Sequence, residues 1–200
     1  MTEQTLTESR SALRDWLARD GRLMNDRAAM VAELGQRLID AGIPIARITT
    51  AVPLLHPILD TSMVLWQPGT EPEERMWQML PENYRMLANS PLKIIYEGGG
   101  PVRCRIGPEP EEGEFTILQD LRAAGMRDYV ALPAPFSDGT TKGITFATKS
   151  AGGFADDEID FLASLTPSLA MILEIQTLHR TTRTFLETYV GKKQAVFAPD

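Results

Sequence analysis

Hydrophobic residues recur at helical spacing near both ends of the chain and in strand-length runs between them. Leu6, Leu13, Trp16 and Leu17 share one face, and Thr7 to Arg19 holds no proline or glycine, which predicts a helix that Gly21 breaks or bends. A second helix carries Met30, Val31, Leu34 and Leu38 on one stripe and ends at Ala41-Gly42, with Pro44 beyond it. Ile45 to Leu55 is rich in β-branched residues and Ser62 to Trp66 is a second short run, so the two predict an opening antiparallel pair. Residues 67–83 are polar, with Pro68, Pro72 and Pro81, and read as an exposed loop. Within Tyr84–Glu97, Ser90-Pro91 predicts a helix start with Ser90 as cap and Pro91 in the first turn.

Gly98-Gly99-Gly100-Pro101 stops that helix; Val102 to Ile106 follows as a short strand, and the segment from Gly107 to Glu114 as a solvated loop. Ile117 to Ala124 predicts a helix ended by Gly125. Tyr129–Phe136 and Gly143–Thr148 are strands joined by Ser137-Asp138-Gly139, since Asp-Gly between β-rich runs is a hairpin signal. Pro133 and Pro135 place the first of them at an edge or a bulge. After Gly152-Gly153-Phe154 a long helix carries Ile159, Phe161, Leu162, Leu165, Leu169, Ile172, Leu173, Ile175 and Leu178, with Pro167 inside it as an expected kink or cost. Its first half is apolar over too wide a face for a coiled-coil seam. Residues 158–173 are therefore expected to pack on the sheet, and 172–189 to extend towards a partner helix. Helices before and after a set of short strands define an α+β fold with a mostly antiparallel sheet.

Composition narrows the function classes. At 43% hydrophobic and 24% charged, the 200 residues suit one globular domain with terminal helices. A formal net charge of −7 argues against nucleic-acid binding, which draws its affinity from phosphate neutralisation. The lone Cys104 excludes an internal disulfide and suits a reducing cytoplasm. Neither a basic leader followed by an apolar stretch nor an apolar run of bilayer length is read, so the expectation is a soluble cytoplasmic protein without a membrane partner.

Catalytic constellations are sparse. His56 and His179 are far apart, and a zinc site needs more nitrogen or sulfur ligands at close spacing, so no metal site is expected. Cys104 with His56 as nucleophile and base has no local support, and a cysteine on a short strand is usually core. The chain has no G-x-x-x-x-G-K-[ST] phosphate loop. No catalytic residue is assigned. The middle of the chain instead concentrates large, soft or amphipathic residues: Trp66, Met76, Trp77, Met79, Tyr84, Met86 and Tyr96. These line a small-molecule cavity or form a core under a long loop, and the sequence does not choose. The candidate ligand-binding set is His56, Trp66, Trp77, Tyr96, Cys104 and Tyr129.

The order Asp138-Gly139, Gly143 to Thr148, Gly153-Phe154-Ala155-Asp156-Asp157-Glu158, Phe161-Leu162 and Leu165 to Ala170 resembles the end of a GAF domain. There a glycine-led strand precedes a phenylalanine, an acidic helix start and a long apolar helix. The family's Ser or Thr cap after the phenylalanine is Ala155 here, with Asp156 expected to cap one position later. A closer resemblance is to the N-terminal regulatory region of bacterial class III adenylate cyclases. It rests on Leu54-Leu55-His56-Pro57, Ser90-Pro91-Leu92, Asp128 to Pro133, Ser137-Asp138-Gly139 and Arg180 to Gly191, and covers roughly residues 25–192.

The resemblance implies a GAF-like antiparallel sheet flanked by N-terminal helices and a long C-terminal helix. It divides the chain into an N-terminal helical segment (1–24), a sensor domain (25–176) and a signalling helix with tail (177–200). It implies a regulatory domain rather than an enzyme, binding a small ligand or partner and signalling to a cyclase output in a longer parent chain; no cofactor is named. Leu13, Trp16, Leu17, Ile172, Ile175, Leu178, Phe185, Leu186 and Tyr189 are the expected dimer and signalling positions of a homodimer paired through its terminal helices. A monomer folding one terminal helix onto the other stays open beside that dimer. A small enzyme with a pocket around His56, Cys104 and Tyr129, and a purely structural dimerisation module, stay open beside the sensor.

Overall fold

The computed structural model describes residues 3–53, 61–77 and 87–189. Its centre is a six-stranded sheet in the order β3-β2-β1-β6-β5-β4, antiparallel throughout. The strands are β1 (Arg47–Pro53), β2 (Thr61–Trp66), β3 (Glu73–Trp77), β4 (Val102–Arg105), β5 (Asp128–Pro135) and β6 (Thr141–Thr148). The helices are α1 (Glu3–Arg19), α2 (Arg27–Asp40), α3 (Pro91–Tyr96), α4 (Thr116–Ala123) and α5 (Asp156–Tyr189), with a 3-10 turn at Gly21–Leu23. This is the α+β architecture expected from the pattern.

Side chains alternate across a strand, so each face of the sheet has its own cast. One face presents Ile48, Val52, Val64, Trp66, Val130, Leu132, Ile144 and Phe146, all buried, to α1, α2 and α5. Asp26 starts α2 by accepting from the amides of Ala28 (2.8 Å) and Ala29 (3.1 Å), and the stripe Met30, Val31, Leu34 and Leu38 is buried. Gly35 lets that helix approach β2 closely; a Cβ there would lie 2.1 Å from the Trp66 ring. On α1, Leu13, Trp16 and Leu17 enter the same core, while Arg10 and Arg14 lie over the Phe161 ring of α5. The N-terminal helix is thus folded onto the exit helix and α2 within one chain, and four of the expected dimer positions, Leu13, Trp16, Leu17 and Ile172, are consumed in the subunit's own interior. Burying such side chains stabilises the fold by about 1.5–3 kcal/mol each, which an unpaired helix would forgo.

Two expectations change. Residues 67–83 are not all loop, because Glu73–Trp77 forms the edge strand β3, paired with β2 from Thr61↔Trp77 to Leu65↔Glu73. Charged residues are typical of a protected edge, which hides such a strand from a hydrophobic pattern. β5 is not an edge strand either: it pairs with β6 along its whole length and with β4 as far as Ala131. Beyond Ala131 it has one strand neighbour among the described residues. The Phe136 amide bonds Thr140 on the β6 side, so alternation turns the nitrogens of Pro133 and Pro135 to the side that β4 has vacated.

Pro167 lies inside α5 without ending it. A proline nitrogen leaves the carbonyl four residues back without its helical donor, here that of Ala163. The Thr166 hydroxyl donates to that oxygen at 2.8 Å and takes the missing place. The helix start also differs from expectation. Ala155 precedes the first turn, its amide donates to Glu158 (2.8 Å), and Asp156 binds Arg103 instead of capping. This is one half of a capping box, with the side-chain half lost to alanine.

α5 is the one helix among the described residues that is long and apolar enough to cross a membrane, which the sequence reading did not expect. Half of its apolar window is buried inside the fold, the usual state of a core helix. Its buried positions run from Phe161 to Gln176, whose side chain donates to the Met24 carbonyl at 2.7 Å.

Candidate functional site: a cavity on the second face of the sheet

The opposite face is built from small residues at its centre. Thr49 and Ala51 of β1 face the same way as Gly143, Thr145 and Ala147 of β6, whereas the helix-covered face has Ile48, Val52, Ile144 and Phe146 at neighbouring positions. α3 and α4 cover this second face. Ser90 caps α3 by accepting from the Leu92 amide (3.1 Å), and Asn89 donates to Thr116 at the start of α4 (2.9 Å). Arg122 pins α4 through Glu114 (2.9 and 2.5 Å) and the Gly107 carbonyl (2.9 Å). α3 comes so close to β6 that a Cβ at Gly143 would lie 2.2 Å from a Leu92 methyl.

Because the floor is small and the roof rests on its own supports, a cavity of about 340 Å³ remains between them. Its apolar wall includes Met63, Leu65, Leu87, Leu92 and Ile117. Polar groups enter from the strands as Arg47, Thr49, Thr61, Arg75, Tyr129 and Thr145, and from the roof as Ser90, Tyr96, Thr116 and Asp120. The volume lies within the range of small-molecule pockets, and a mostly apolar wall with a few polar groups is their usual composition.

The two phenols are neutral donors near neutral pH. Burial pushes Tyr96 up to about 12, and burial pushes Tyr129 up as well, against a hydrogen bond with Thr145. Tyr96 nevertheless keeps 36% of its surface, consistent with a ring that forms part of a hollow. Arg47 is lowered by burial, with Tyr129 and Asp120 opposing that shift and Arg75 adding to it.

The candidate residues from the sequence divide. Tyr96 and Tyr129 line the cavity. Trp66 is on the other face, buried against α2 at Gly35, because β2 alternates and its odd positions face the cavity. Trp77 ends β3 opposite Thr61, and its side chain lies outside the described residues, as do His56, Met79, Tyr84 and Met86. Cys104 pairs with Tyr129 across β4 and β5 and packs into the small core around Leu118, Leu121 and Met126. Burial and the charge of Asp128 raise its thiol pKa, the reverse of what an activated nucleophile needs. Arg47 was missed; a single arginine in a β-rich run gives no sign of its neighbours before the register is known.

A second polar cluster joins the cavity strand to the exit helix. The Asp128 carboxylate is fully buried and accepts from Arg103 (2.8 Å), the Phe154 amide (3.0 Å) and the Tyr129 amide (3.0 Å). Arg103 also holds Asp156 (2.9 Å), and Arg105 donates to the Gly152 carbonyl. Gly153 has φ +70° and sits where a Cβ would lie 1.8 Å from Arg105 and 2.6 Å from Asp128. The sequence had flagged Gly153-Phe154 as a helix lead-in and as part of a family resemblance, not as part of a charge cluster. The two arginines at alternate positions of a short strand, Arg103 and Arg105, were the available signal for this cluster.

Comparison with known proteins places the fold. No protein-family model matches the chain, and no curated protein matches it by sequence. Solved structures do. The GAF domain of a phosphoenolpyruvate-protein phosphotransferase from Coxiella burnetii is 12% identical, with 90% of this chain and 98% of that one covered and a TM-score of 0.55. The phycoerythrobilin-bound GAF domain of a cyanobacterial phytochrome is 10% identical, covers 90% and 100%, and gives 0.50. The free methionine-R-sulfoxide reductase from Neisseria meningitidis, solved in complex with its substrate, is 15% identical, covers 92% and 95%, and also gives 0.50. The chain therefore has a GAF-like α+β fold. The expectation that the chain is not an enzyme is corrected by the last of these, since a reductase is built on the same fold.

Proposed function

We propose that the chain is a sensory domain whose cavity takes up a small molecule and whose exit helix reports the occupancy. The observation that carries this reading is the adjacency on β5 of Tyr129, in the cavity wall, and Asp128, whose carboxylate holds the start of α5. A ligand moves such an equilibrium only if it binds one arrangement of the helix better than the other. Ala51→Phe fills the cavity from its floor without any ligand, so it tests the link directly. Amide exchange around residues 152–160 should change in that variant; unchanged protection there would count against the reading.

The output is proposed to be an adenylate-cyclase-type domain in a longer cytoplasmic parent chain, on the resemblance at Arg180 to Gly191. A homodimer through α5 is the proposed conduit. Met171, Ile175, Leu178 and Phe185 are exposed, and their spacings of four, three and seven keep them on one heptad seam. With Leu13, Trp16 and Leu17 buried in the subunit, this seam belongs to α5 alone. Truncation at about Thr177 should weaken the dimer in sedimentation, and an unchanged dimer would refute the seam.

A further inference from the structure

The arginines divide sharply by what they hold. Among the described residues, six arginines besides Arg47 have restricted access to solvent: Arg10, Arg27, Arg37, Arg103, Arg122 and Arg180. Each has a carboxylate within 3.0 Å. Arg47 has the same restricted access and no carboxylate within ion-pair distance among the described residues; its one hydrogen bond there is a long contact of 3.4 Å to Thr49. The second cation of the cavity among the described residues, Arg75, is already spent in two bonds to Glu73 (2.7 and 2.8 Å). Asp120, the one acidic residue in the lining among the described residues, is exposed on α4 and makes no ion pair with Arg47. A cation withdrawn from water without a partner is costly unless something supplies the opposite charge.

We infer that the cavity is built for a small amphiphilic monocarboxylate, with its carboxylate on the Arg47 guanidinium and its apolar body against Met63, Leu65, Leu87, Leu92 and Ile117. The inference rests on the sensory reading and adds the class of ligand. A guanidinium matches the two oxygens of a carboxylate in a forked pair. One arginine with no carboxylate partner among the described residues answers one negative charge, and a doubly charged phosphate would leave its second charge in an apolar wall. Burial, which lowers the Arg47 pKa, is the desolvation that such an anion relieves. The neutral phenols of Tyr96 and Tyr129 have protons to donate and no negative charge with which to repel the ligand.

The test uses three probes of one length, octanoate, octanol and octylamine, titrated against the full chain by calorimetry and by melting temperature. Octanoate should bind saturably and about tenfold or more tightly than octanol, the size expected of a hydrogen bond to a charged group, and octylamine should bind least. In Arg47→Gln the preference for octanoate over octanol should vanish while octanol binding persists, which shows that the cavity is still formed. Equal binding of octanoate and octanol to the wild type, or a preference kept in Arg47→Gln, overturns the inference and leaves the cavity as a neutral pocket. If neither probe binds, the inference also falls, and the exchange measurement on Ala51→Phe decides the sensory reading separately.

Discussion

The two faces of the sheet use the same strands to opposite ends. On one, large side chains meet three helices and the interior closes, with Trp66 pressed onto Gly35. On the other, threonine, alanine and glycine at the centre leave a hollow under two short helices. The difference teaches that the closed core and the cavity are separated by strand parity. Residues one position apart serve different tasks, as Ile48 does in the core and Arg47 and Thr49 do in the cavity. The strand β5 joins the two, through Tyr129 on one side and Asp128 on the other.

The sharpest way to break this arrangement is at Asp128, where Asp128→Ala strips a buried network of its acceptor, leaves two amides unpaired and leaves Arg103 with only Asp156 and the Phe154 carbonyl. It should cost about 3–5 kcal/mol in denaturant unfolding, the range for breaking a buried ion pair from one side. A loss under about 1 kcal/mol would mean that α5 is held by packing alone.

The faces themselves are compared by a pair of matched substitutions. Gly35→Ala places a methyl against a rigid indole and should destabilise by about 1–3 kcal/mol, as overpacking does. Gly143→Ala clashes only with the end of Leu92, a flexible side chain that borders the cavity, with the Tyr96 ring at an ordinary 3.9 Å, and should stay within about 1 kcal/mol of the wild type. Equal losses in urea titrations of the two variants would show that the second face is as tightly filled as the first.

Within α5, Thr166→Val removes the hydroxyl that serves the Ala163 carbonyl in place of the Pro167 amide. The expected loss is about 1 kcal/mol, and the double variant Thr166→Val with Pro167→Ala should recover it, since the backbone donor returns. No recovery would assign the cost to packing instead.

The smallest effect is a pH dependence at the sheet edge. Burial pushes Glu74 up, yet hydrogen bonds from Ser62, Arg180 and Arg27 together outweigh it and hold the carboxyl below its ordinary value. A depressed folded-state pKa contributes stability above the unfolded value, near 4.3, and that contribution is lost as pH falls through the folded one. The wild type should therefore lose its advantage over Glu74→Gln on acidification below about pH 4. A constant difference between the two would remove Glu74 from the acid response.

Much of this was open to a reader of the chain. Asp138-Gly139 fixed the last hairpin, Ser90-Pro91 a helix start, and the apolar stripes of α2 and α5 their buried faces, because these signals are local and each rests on backbone chemistry within a few residues. The edge strand β3 escaped because Glu73-Glu74-Arg75 reads as solvated, and its partner β2 lies outside any local window. Trp66 was assigned to the pocket by residue type, when parity had already sent it to the core.

The residues alone determined the class of fold, the position of its turns and the length of its exit helix. Tertiary structure decided which arginines are paired, which tyrosines meet in one hollow, and that α1 closes its own subunit. Register and packing bring residues such as Arg47 and Tyr129, or Arg10 and Asp157, together from distant parts of the chain. Neither charge nor exposure is a property of one residue until its neighbours are in place.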